Sequence, residues 1–426
     1  MKEFERIKIN EGVEIISARA NRFKTNEISI SFLMPLKEET ASSNALLAYL
    51  ISQTSKRYQT IYDFNQKLAM LYGASVNASV TKLGENQCIT LDASCLDDRF
   101  ALDDEKISLE CFELLCELIF NPKLDDFGNF YSEDIEREKR LLIERIESEE
   151  NDKRVFALRR LESIMFEDEP YSVNRYGSKK DISSVTNDDL KNSLEYFKRN
   201  SKIQITVVGN ADIKNITEIA KKYFNSVNRE YIPPVASVFK GKAYEVKTVK
   251  DELDVQQGKL VLGFRVNNQS EFKSNPEMRL FSDVFGGGPY SKLFANVREK
   301  LSLCYYCSAR YDRRKSSVIV QCGCEEENMD KAVSEILNQL EEIKKGNIAE
   351  ELSASKMALS DLLSSVNDDS ISLLSWYSSQ ITDEEILTPE ESATQNQSIS
   401  NQDISSCAEL LSLDTVYKLV AKKEGE

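Results

Sequence analysis

The sequence predicts an α+β protein of two similar domains, each an antiparallel sheet backed by helices. Alternating apolar segments typical of strands and periodic segments typical of helices follow one another in a similar order in both halves of the chain. A stretch with two consecutive prolines and no periodic pattern lies near the middle. Apolar residues make up 41% of the 426 residues, which is enough for large buried cores.

The mid-chain stretch 229–240 is the predicted linker, because Pro233 and Pro234 interrupt any helix or central strand there. It separates a predicted N-terminal domain, residues 1–228, from a predicted C-terminal domain, residues 241–426. Both are of a size that builds its own core.

The first half begins with strand patterns and continues with helical ones. The predicted strands lie within 11–20, 27–36, 73–82, 86–96 and 203–209, and the predicted helices span 43–55, 60–71, 108–120, 133–165 and 211–224. The third helix stops at Pro122. The fourth is long and highly charged, which predicts a solvated face with ion pairs between successive turns.

The second half repeats much of this order. Its predicted strands lie within 242–250, 259–266, 304–312, 316–325 and 415–423, and its predicted helices begin at about Asn275 and span 290–300, 328–345 and 349–365. A run of three glycines, Gly286, Gly287 and Gly288, precedes the second of these helices. One interpretation of the run is a turn between helices with positive φ.

Charge and histidine content exclude several function classes. Lys and Arg number 55 and Asp and Glu 71, so the formal net charge is −16 and binding to nucleic acid is disfavoured. The chain has no histidine, which excludes Ser-His-Asp and Cys-His catalysis and every zinc site that uses imidazole. A Walker motif, a dinucleotide-binding glycine motif and a paired-carboxylate motif are also missing, which disfavours other enzyme classes.

The nine cysteines and the apolar pattern predict a reduced, cytoplasmic protein that does not bind membranes. The N-terminal MKEFERIKIN lacks the apolar region of a signal peptide, and no apolar run reaches the roughly 18 residues of a membrane span. We therefore expect most thiols to pack as small apolar groups.

Four of the cysteines could form a thiolate metal site, since Cys304 and Cys307 make a C-x-x-C and Cys322 and Cys324 a C-x-C. Both pairs fall in predicted strands, where residues three apart point to opposite faces. We therefore expect Cys304 and Cys307 to diverge, which favours packing over metal binding. The sequence thus predicts neither a metal ion nor a cofactor, with the thiolate site as the open alternative.

The glycine run is followed by a motif that resembles a known family. GGGPYSKLF and then VREKLSLCY, from Gly286 to Tyr305, are similar to the glycine-rich turn and R-E-K-x-G-L-x-Y motif of the M16 (pitrilysin or insulinase) peptidases. Arg298 and Tyr305 keep the family spacing, whereas Ser302 replaces the usual glycine and Lys292 the usual arginine. The resemblance covers nearly the whole chain and implies the two-domain fold of processing-peptidase-like members.

The resemblance also implies where a zinc site has been lost. M16 peptidases bind zinc through H-x-x-E-H on their first long helix and a downstream Glu. Alignment places Ala45, Ala48 and Tyr49 at the motif positions, and Arg145, next to Glu144, at the downstream position. These residue types imply that the chain binds no catalytic zinc and cleaves no peptide by itself.

Three functional hypotheses follow from these observations. The first is a non-catalytic subunit of a zinc-protease-like heterodimer, in which Gly286, Gly287, Gly288, Arg298 and Tyr305 contact an extended peptide substrate beside an active M16 partner's zinc site. The second is a homodimeric peptide- or protein-binding scaffold without such a partner, in which Arg298 is a surface cation and Tyr305 a half-buried strand residue. The third, an enzyme without histidine, is the least supported.

The N-terminal block NALLAYLISQTSKRYQTIYDFNQKLAMLYGASVNASVTKLGE resembles a Firmicute subgroup of the family in which the zinc motif is likewise missing. That subgroup is associated with the 5-aminopentanol modification of translation factor EF-P. The resemblance implies a role in the same pathway.

Overall fold

The computed structural model describes residues 4–267 and 276–422, and it confirms the predicted α+β class. In the first half, the strands are β1 (Phe4–Asn10), β2 (Val13–Arg19), β3 (Thr25–Pro35), β4 (Ser75–Leu83), β5 (Asn86–Leu96) and β6 (Lys202–Gly209). The helices are α1 (Glu38–Ile51), α2 (Ile61–Met70), α3 (Ile107–Phe120), α4 (Ser132–Asn151), α5 (Lys153–Met165), α6 (Lys179–Ser184), α7 (Asn187–Arg199) and α8 (Ile213–Phe224).

In the second half, the strands are β7 (Lys247–Leu253), β8 (Lys259–Val266), β9 (Tyr306–Asp312), β10 (Ser317–Gly323) and β11 (Leu411–Ala421). The helices are α9 (Pro276–Gly286), α10 (Met329–Lys344), α11 (Ala349–Ser365), α12 (Ser370–Ser378), α13 (Pro389–Gln397) and α14 (Asn401–Glu409), with a π-helix at Phe294–Lys300. The predicted helix start at Asn275 lies outside the described residues. Within the two described ranges, no helix combines the length and apolarity needed to cross a bilayer.

The chain packs into two compact units, and each is discontinuous in sequence. Unit 1 comprises Met1–Ile146, Val173–Ala236 and Ser365–Thr388, and unit 2 comprises Glu147–Ser172, Ser237–Ser364 and Pro389–Glu426. Each unit therefore takes in one segment from the other half of the sequence. The predicted linker at 229–240 divides the chain into two continuous halves. The periodicity of the sequence does not indicate that each unit includes a segment of the other half.

The two sheets share one strand order. The sheet of unit 1 runs β1-β2-β6-β3-β5-β4, and that of unit 2 runs β7-β11-β8-β10-β9, which is the same order without an equivalent of β1. Neighbours are antiparallel except for one parallel pair in each sheet, β2 with β6 and β7 with β11. Parallel neighbours need a long crossover, and the helices between the paired strands supply it.

The exchanged segments cover the second face of each sheet. In unit 1, α12 packs on β3 and β6, and its Leu373 and Tyr377 join a small apolar cluster with strand residues. In unit 2, α5 packs on β8 and β11 through Leu161 and Met165. The central strands β6 and β8 are thus covered on both faces, which explains why all their residues except the first are buried.

The prediction of one long helix over 133–165 is wrong, because the structure has two helices there. It divides into α4 and α5 at Asp152, whose Oδ1 accepts hydrogen bonds from the backbone N–H groups of Arg154 and Val155 and so begins a new helix. Helix α4 has the expected solvated face, whereas α5 is partly buried.

The segment after α5 enters the interior of unit 2. There the carboxylate of Glu169 lies 2.5 Å from Lys315 Nζ and 3.2 Å from Arg265 Nη1.

Candidate functional site

Helix α1 carries Ala45, Ala48 and Tyr49, the residues that the resemblance aligns with the zinc motif, and it is a core helix. Burial is continuous from Ala41 to Ile51. Ala45 and Ala48 have 0% of their surface exposed and Tyr49 has 8%. A helix that is buried on every side needs partners on every side, and α1 packs against α7, β4 and β5.

Arg145 on α4 reaches Tyr49, so the structure brings together two of the four positions assigned by resemblance. Arg145 Nη1 donates a hydrogen bond to Tyr49 Oη at 2.9 Å, and the guanidinium carbon lies 4.3 Å from the centroid of the Tyr49 ring. Burial, and then the neighbouring Tyr176, raise the pKa of Tyr49, so its phenol stays protonated at neutral pH. Glu144 instead pairs with Arg140 on the exposed side of α4.

This set of groups does not fit a catalytic zinc ion. Zinc takes histidine, thiolate or carboxylate ligands, and here it would meet two methyl groups, a neutral phenol and a guanidinium. The Arg145 cation already occupies the face of Tyr49 and would repel a second cation. The arrangement can donate hydrogen bonds, but it cannot activate a metal-bound water.

Sequence reasoning missed a second cation beside this position. The guanidinium carbon of Arg175 lies 4.4 Å from the ring centroid of Tyr176, and its Nη2 donates to Tyr176 Oη at 3.2 Å. Tyr176 in turn lies near enough to Tyr49 to raise the pKa of its phenol. More than a hundred residues separate these tyrosines in the chain, so no local pattern predicts that they meet.

The glycine run lies in unit 2 at the end of α9. The interpretation of the glycine run as a turn with positive φ is wrong. Among the described residues, the glycines with positive φ lie elsewhere in the chain. The reason for Gly286 is close packing: a Cβ at this position would lie 2.4 Å from the backbone nitrogen of Ala309 on β9. Tyr290 donates a hydrogen bond to Asp283 Oδ1 at 2.8 Å and so links α9 to the segment that follows the run.

We predict that Gly286→Ala lowers the free energy of unfolding by about 1–3 kcal/mol, because α9 must move away from β9 to admit the methyl group. Chemical denaturation measures this change. Gly288→Ala is the matched control, since the three atoms nearest to its Cβ belong to the Tyr290 side chain and none of them to the backbone. An equal loss in both variants would contradict the close-packing explanation.

Arg298 lies on the π-helix and keeps 41% of its side chain exposed. Its guanidinium carbon is 4.5 Å from the centroid of Phe294, and its Nε is 3.5 Å from Glu299 Oε1. A π-helix is rare and often marks a functional site. The structure thus places a cation at the surface, held by neighbours on its own helix. The replaced family arginine, Lys292, pairs with Glu351 on α11 at 2.7 Å.

Tyr305 is 60% exposed and lies just before β9, not on a strand. The interpretation as a half-buried strand residue is therefore wrong. Its backbone N–H donates to Gly323 O at 2.8 Å, which fixes the residue against the end of β10. Its hydroxyl donates to Glu325 Oε1 at 3.1 Å, and this hydrogen bond raises the pKa of Tyr305.

Ser302 lies between these two residues, and its backbone conformation is one that favours glycine, the residue with which the resemblance aligns it. Its φ is +51°, a left-handed conformation that glycine adopts at little cost and serine does not. The turn that carries the chain from the π-helix to Tyr305 therefore keeps the geometry that favours glycine. The residue-by-residue resemblance was the only sequence signal of this strain.

We predict that Ser302→Gly stabilises the protein by roughly 1 kcal/mol, since it removes the left-handed strain. Thermal and chemical denaturation measure this change. Ser308→Gly on β9 is the control, because Ser308 lies inside a strand, where glycine destabilises. A destabilised Ser302→Gly variant would contradict the strain.

Cys304 and Cys307 do not diverge as predicted. Cys304 lies in the loop before β9, not on the strand, so the alternation rule does not apply to it. Its sulfur converges with those of Cys307 and Cys322, all three lying within 4.8 Å of one another in a buried cluster. Hydrogen bonds from Cys307 and then Cys322 lower the pKa of the Cys304 thiol to about 4.

Comparison with known proteins gives the chain a family context. Residues 184–359 match the model of the Peptidase M16 inactive domain. The chain is 29% identical over 402 residues to the probable inactive metalloprotease YmfF of Bacillus subtilis, with 94% of each protein covered. It is also 25% identical over 196 residues to an uncharacterized zinc protease of Rickettsia felis, which covers 45% of this chain and 46% of that protein.

Solved structures share the whole fold. A conserved protein from Enterococcus faecalis V583 superposes with a TM-score of 0.90 at 24% identity, covering 100% of both chains. A peptidase M16 inactive domain from Pseudomonas fluorescens gives a TM-score of 0.77 at 15% identity, covering 99% of both chains. A protease from Helicobacter pylori gives 0.78 at 18% identity, covering 98% of this chain and 99% of that one.

Proposed function

We propose that this chain, which belongs to the M16 peptidase family, is a non-catalytic subunit that binds extended peptide together with an active, zinc-bearing homologue. One observation carries the proposal. The positions that hold zinc in the family are filled by core methyl groups and by the Tyr49–Arg145 pair, while Arg298 and Tyr305 stay exposed at the family spacing.

In this role Arg298 and Tyr305 act on the partner's site. A partly exposed guanidinium and an exposed phenol are both hydrogen-bond donors, suited to a peptide carbonyl or to the negative charge that develops on its oxygen during hydrolysis. The Tyr305 hydroxyl donates to Glu325 in the free chain, so in this role it turns from that carboxylate to the peptide oxygen. Neither residue belongs to the apolar core of unit 2, so packing does not explain why both are present. The glycines after α9 let the backbone approach an extended peptide closely.

Assembly is the first test of the proposal. The chain is co-expressed with an M16 homologue that has an intact H-x-x-E-H motif and is encoded in the same genome. The products are analysed by size-exclusion chromatography with light scattering. We expect one heterodimer that contains both chains. A homodimer of this chain that leaves the homologue unbound would contradict the subunit role and favour the stand-alone peptide-binding scaffold.

We further propose that the protein works in the cytoplasm, in the pathway that modifies EF-P. The N-terminal block supports this through its resemblance to the Firmicute subgroup associated with that modification. Mass spectrometry of EF-P from a strain lacking the gene tests it. We expect the 5-aminopentanol group to be lost, and normally modified EF-P would contradict the link without affecting the heterodimer.

A further inference from the structure

Three buried thiols meet at one end of the β9–β10 pair in unit 2. Cys307 on β9 lies directly opposite Cys322 on β10 in the antiparallel register. Cys304 joins them from the preceding loop, which the hydrogen bond from Tyr305 N to Gly323 O holds against the end of β10. All three sulfur atoms lie within 4.8 Å of one another, and the residues are 9%, 5% and 0% exposed for Cys304, Cys307 and Cys322.

We propose that Cys304, Cys307 and Cys322 bind one thiophilic metal ion, Zn(II) or Cu(I). Converging thiolates are the ligands that these ions prefer over carboxylate and carbonyl oxygens. The site lies in a different unit from the lost zinc motif of α1 and uses none of its residues. With no histidine in the chain, sulfur is the soft donor available to it.

A fourth cysteine determines which of the two ions fits. Cys324 follows β10 immediately and is fully buried in the same core as Cys322. Residues two apart in extended chain point to the same face, which directs Cys324 to the side of Cys322, although its sulfur is not among the three that lie within 4.8 Å of one another. Structural zinc takes four ligands, so a zinc site recruits Cys324, whereas Cu(I) is satisfied by the three converging sulfurs.

Metal binding at these thiols would fix the exposed segment that carries Arg298 and Tyr305. Cys304 directly precedes Tyr305 and follows the turn at Ser302. A bond from Cys304 to a metal shared with β9 and β10 therefore anchors the segment to the sheet. The metal site is formed by residues of this chain and does not depend on the proposed partner.

The test uses the full chain, purified with a phosphine reductant that keeps thiols reduced. Zn(II) and Cu(I) are added separately, excess ion is removed with a competing chelator, and metal per chain is counted by elemental analysis. We expect about one ion per chain and its loss in Cys307→Ala. Cys324→Ala should lose Zn(II) and keep Cu(I), because only the four-ligand site needs that sulfur.

Cys407→Ala is the matched control, since Cys407 is fully buried in the same core but lies outside the thiol cluster. Retention of metal by this variant supports the site. Failure of the parent chain to retain either ion, or equal loss in Cys407→Ala and Cys307→Ala, would overturn it. If circular dichroism shows that Cys307→Ala is unfolded, Cys304→Ala takes its place, because Cys304 lies in a loop and is the most exposed of the three.

Discussion

Placing an H-x-x-E-H motif in α1 with Ala45→His, Ala48→Glu and Tyr49→His is expected to destabilise the protein and to create no zinc site. Ala45 and Ala48 have no exposed surface, so the new side chains must enter a packed core. Each buried polar group without a partner costs about 1–3 kcal/mol. The third change also removes the phenol that accepts the Arg145 hydrogen bond, and the remaining guanidinium repels a divalent cation.

Chemical denaturation measures the loss of stability, and elemental analysis counts zinc. Both are done in a Cys307→Ala background, so that metal at the thiol cluster is not mistaken for metal at α1. Tyr49→Phe is the control: it keeps the ring, loses only the hydroxyl, and is expected to cost about 1 kcal/mol. Unchanged stability together with stoichiometric zinc in the triple variant would contradict this expectation, because it would show that the core around α1 has room for a zinc ion.

Arg298→Ala and Tyr305→Phe are expected to lower peptide cleavage by the assembled heterodimer by about 10²–10³-fold each. That is the usual effect of removing one hydrogen-bond donor to the developing oxyanion. We expect both variants to assemble, since each change removes one polar group whose contacts lie within its own unit, and size-exclusion chromatography checks this.

Lys300→Ala is the matched control for this experiment. Lys300 is an exposed cation on the same π-helix, two residues after Arg298, so its removal changes the charge without removing the proposed donor. Full cleavage by the Arg298→Ala and Tyr305→Phe heterodimers would contradict the role in trans. An equal loss in Lys300→Ala would show that the effect is one of charge and not of a specific contact.

Local patterns predicted the elements whose ends are marked in the sequence. The strand over 86–96 and the strand over 259–266 have the predicted bounds, since alternating or continuous apolar residues end there at turn residues. The break at Asp152 was missed because a charged helical run continues on both sides of one capping side chain. Helix α12 was missed because it is rich in serine and packs on strands distant in sequence.

For the candidate sites too, the sequence predicts some features and only the fold shows the others. Resemblance assigned Tyr49 and Arg145 from motif positions, but only the fold shows that they touch, since they are 96 residues apart. The thiol cluster was misjudged because Cys304 was assigned to a strand that begins at Tyr306. A shift of two residues in a strand boundary thus changed a predicted divergence into an observed cluster.

Cleavage of an extended peptide by the zinc-bearing homologue, measured with and without this chain, tests the non-catalytic subunit role most directly. We predict no cleavage by this chain alone and little by the homologue alone. Activity should rise as this chain is added and reach a plateau at about equimolar amounts. Cleavage by the homologue that does not change when this chain is added, or cleavage by this chain on its own, would contradict that role.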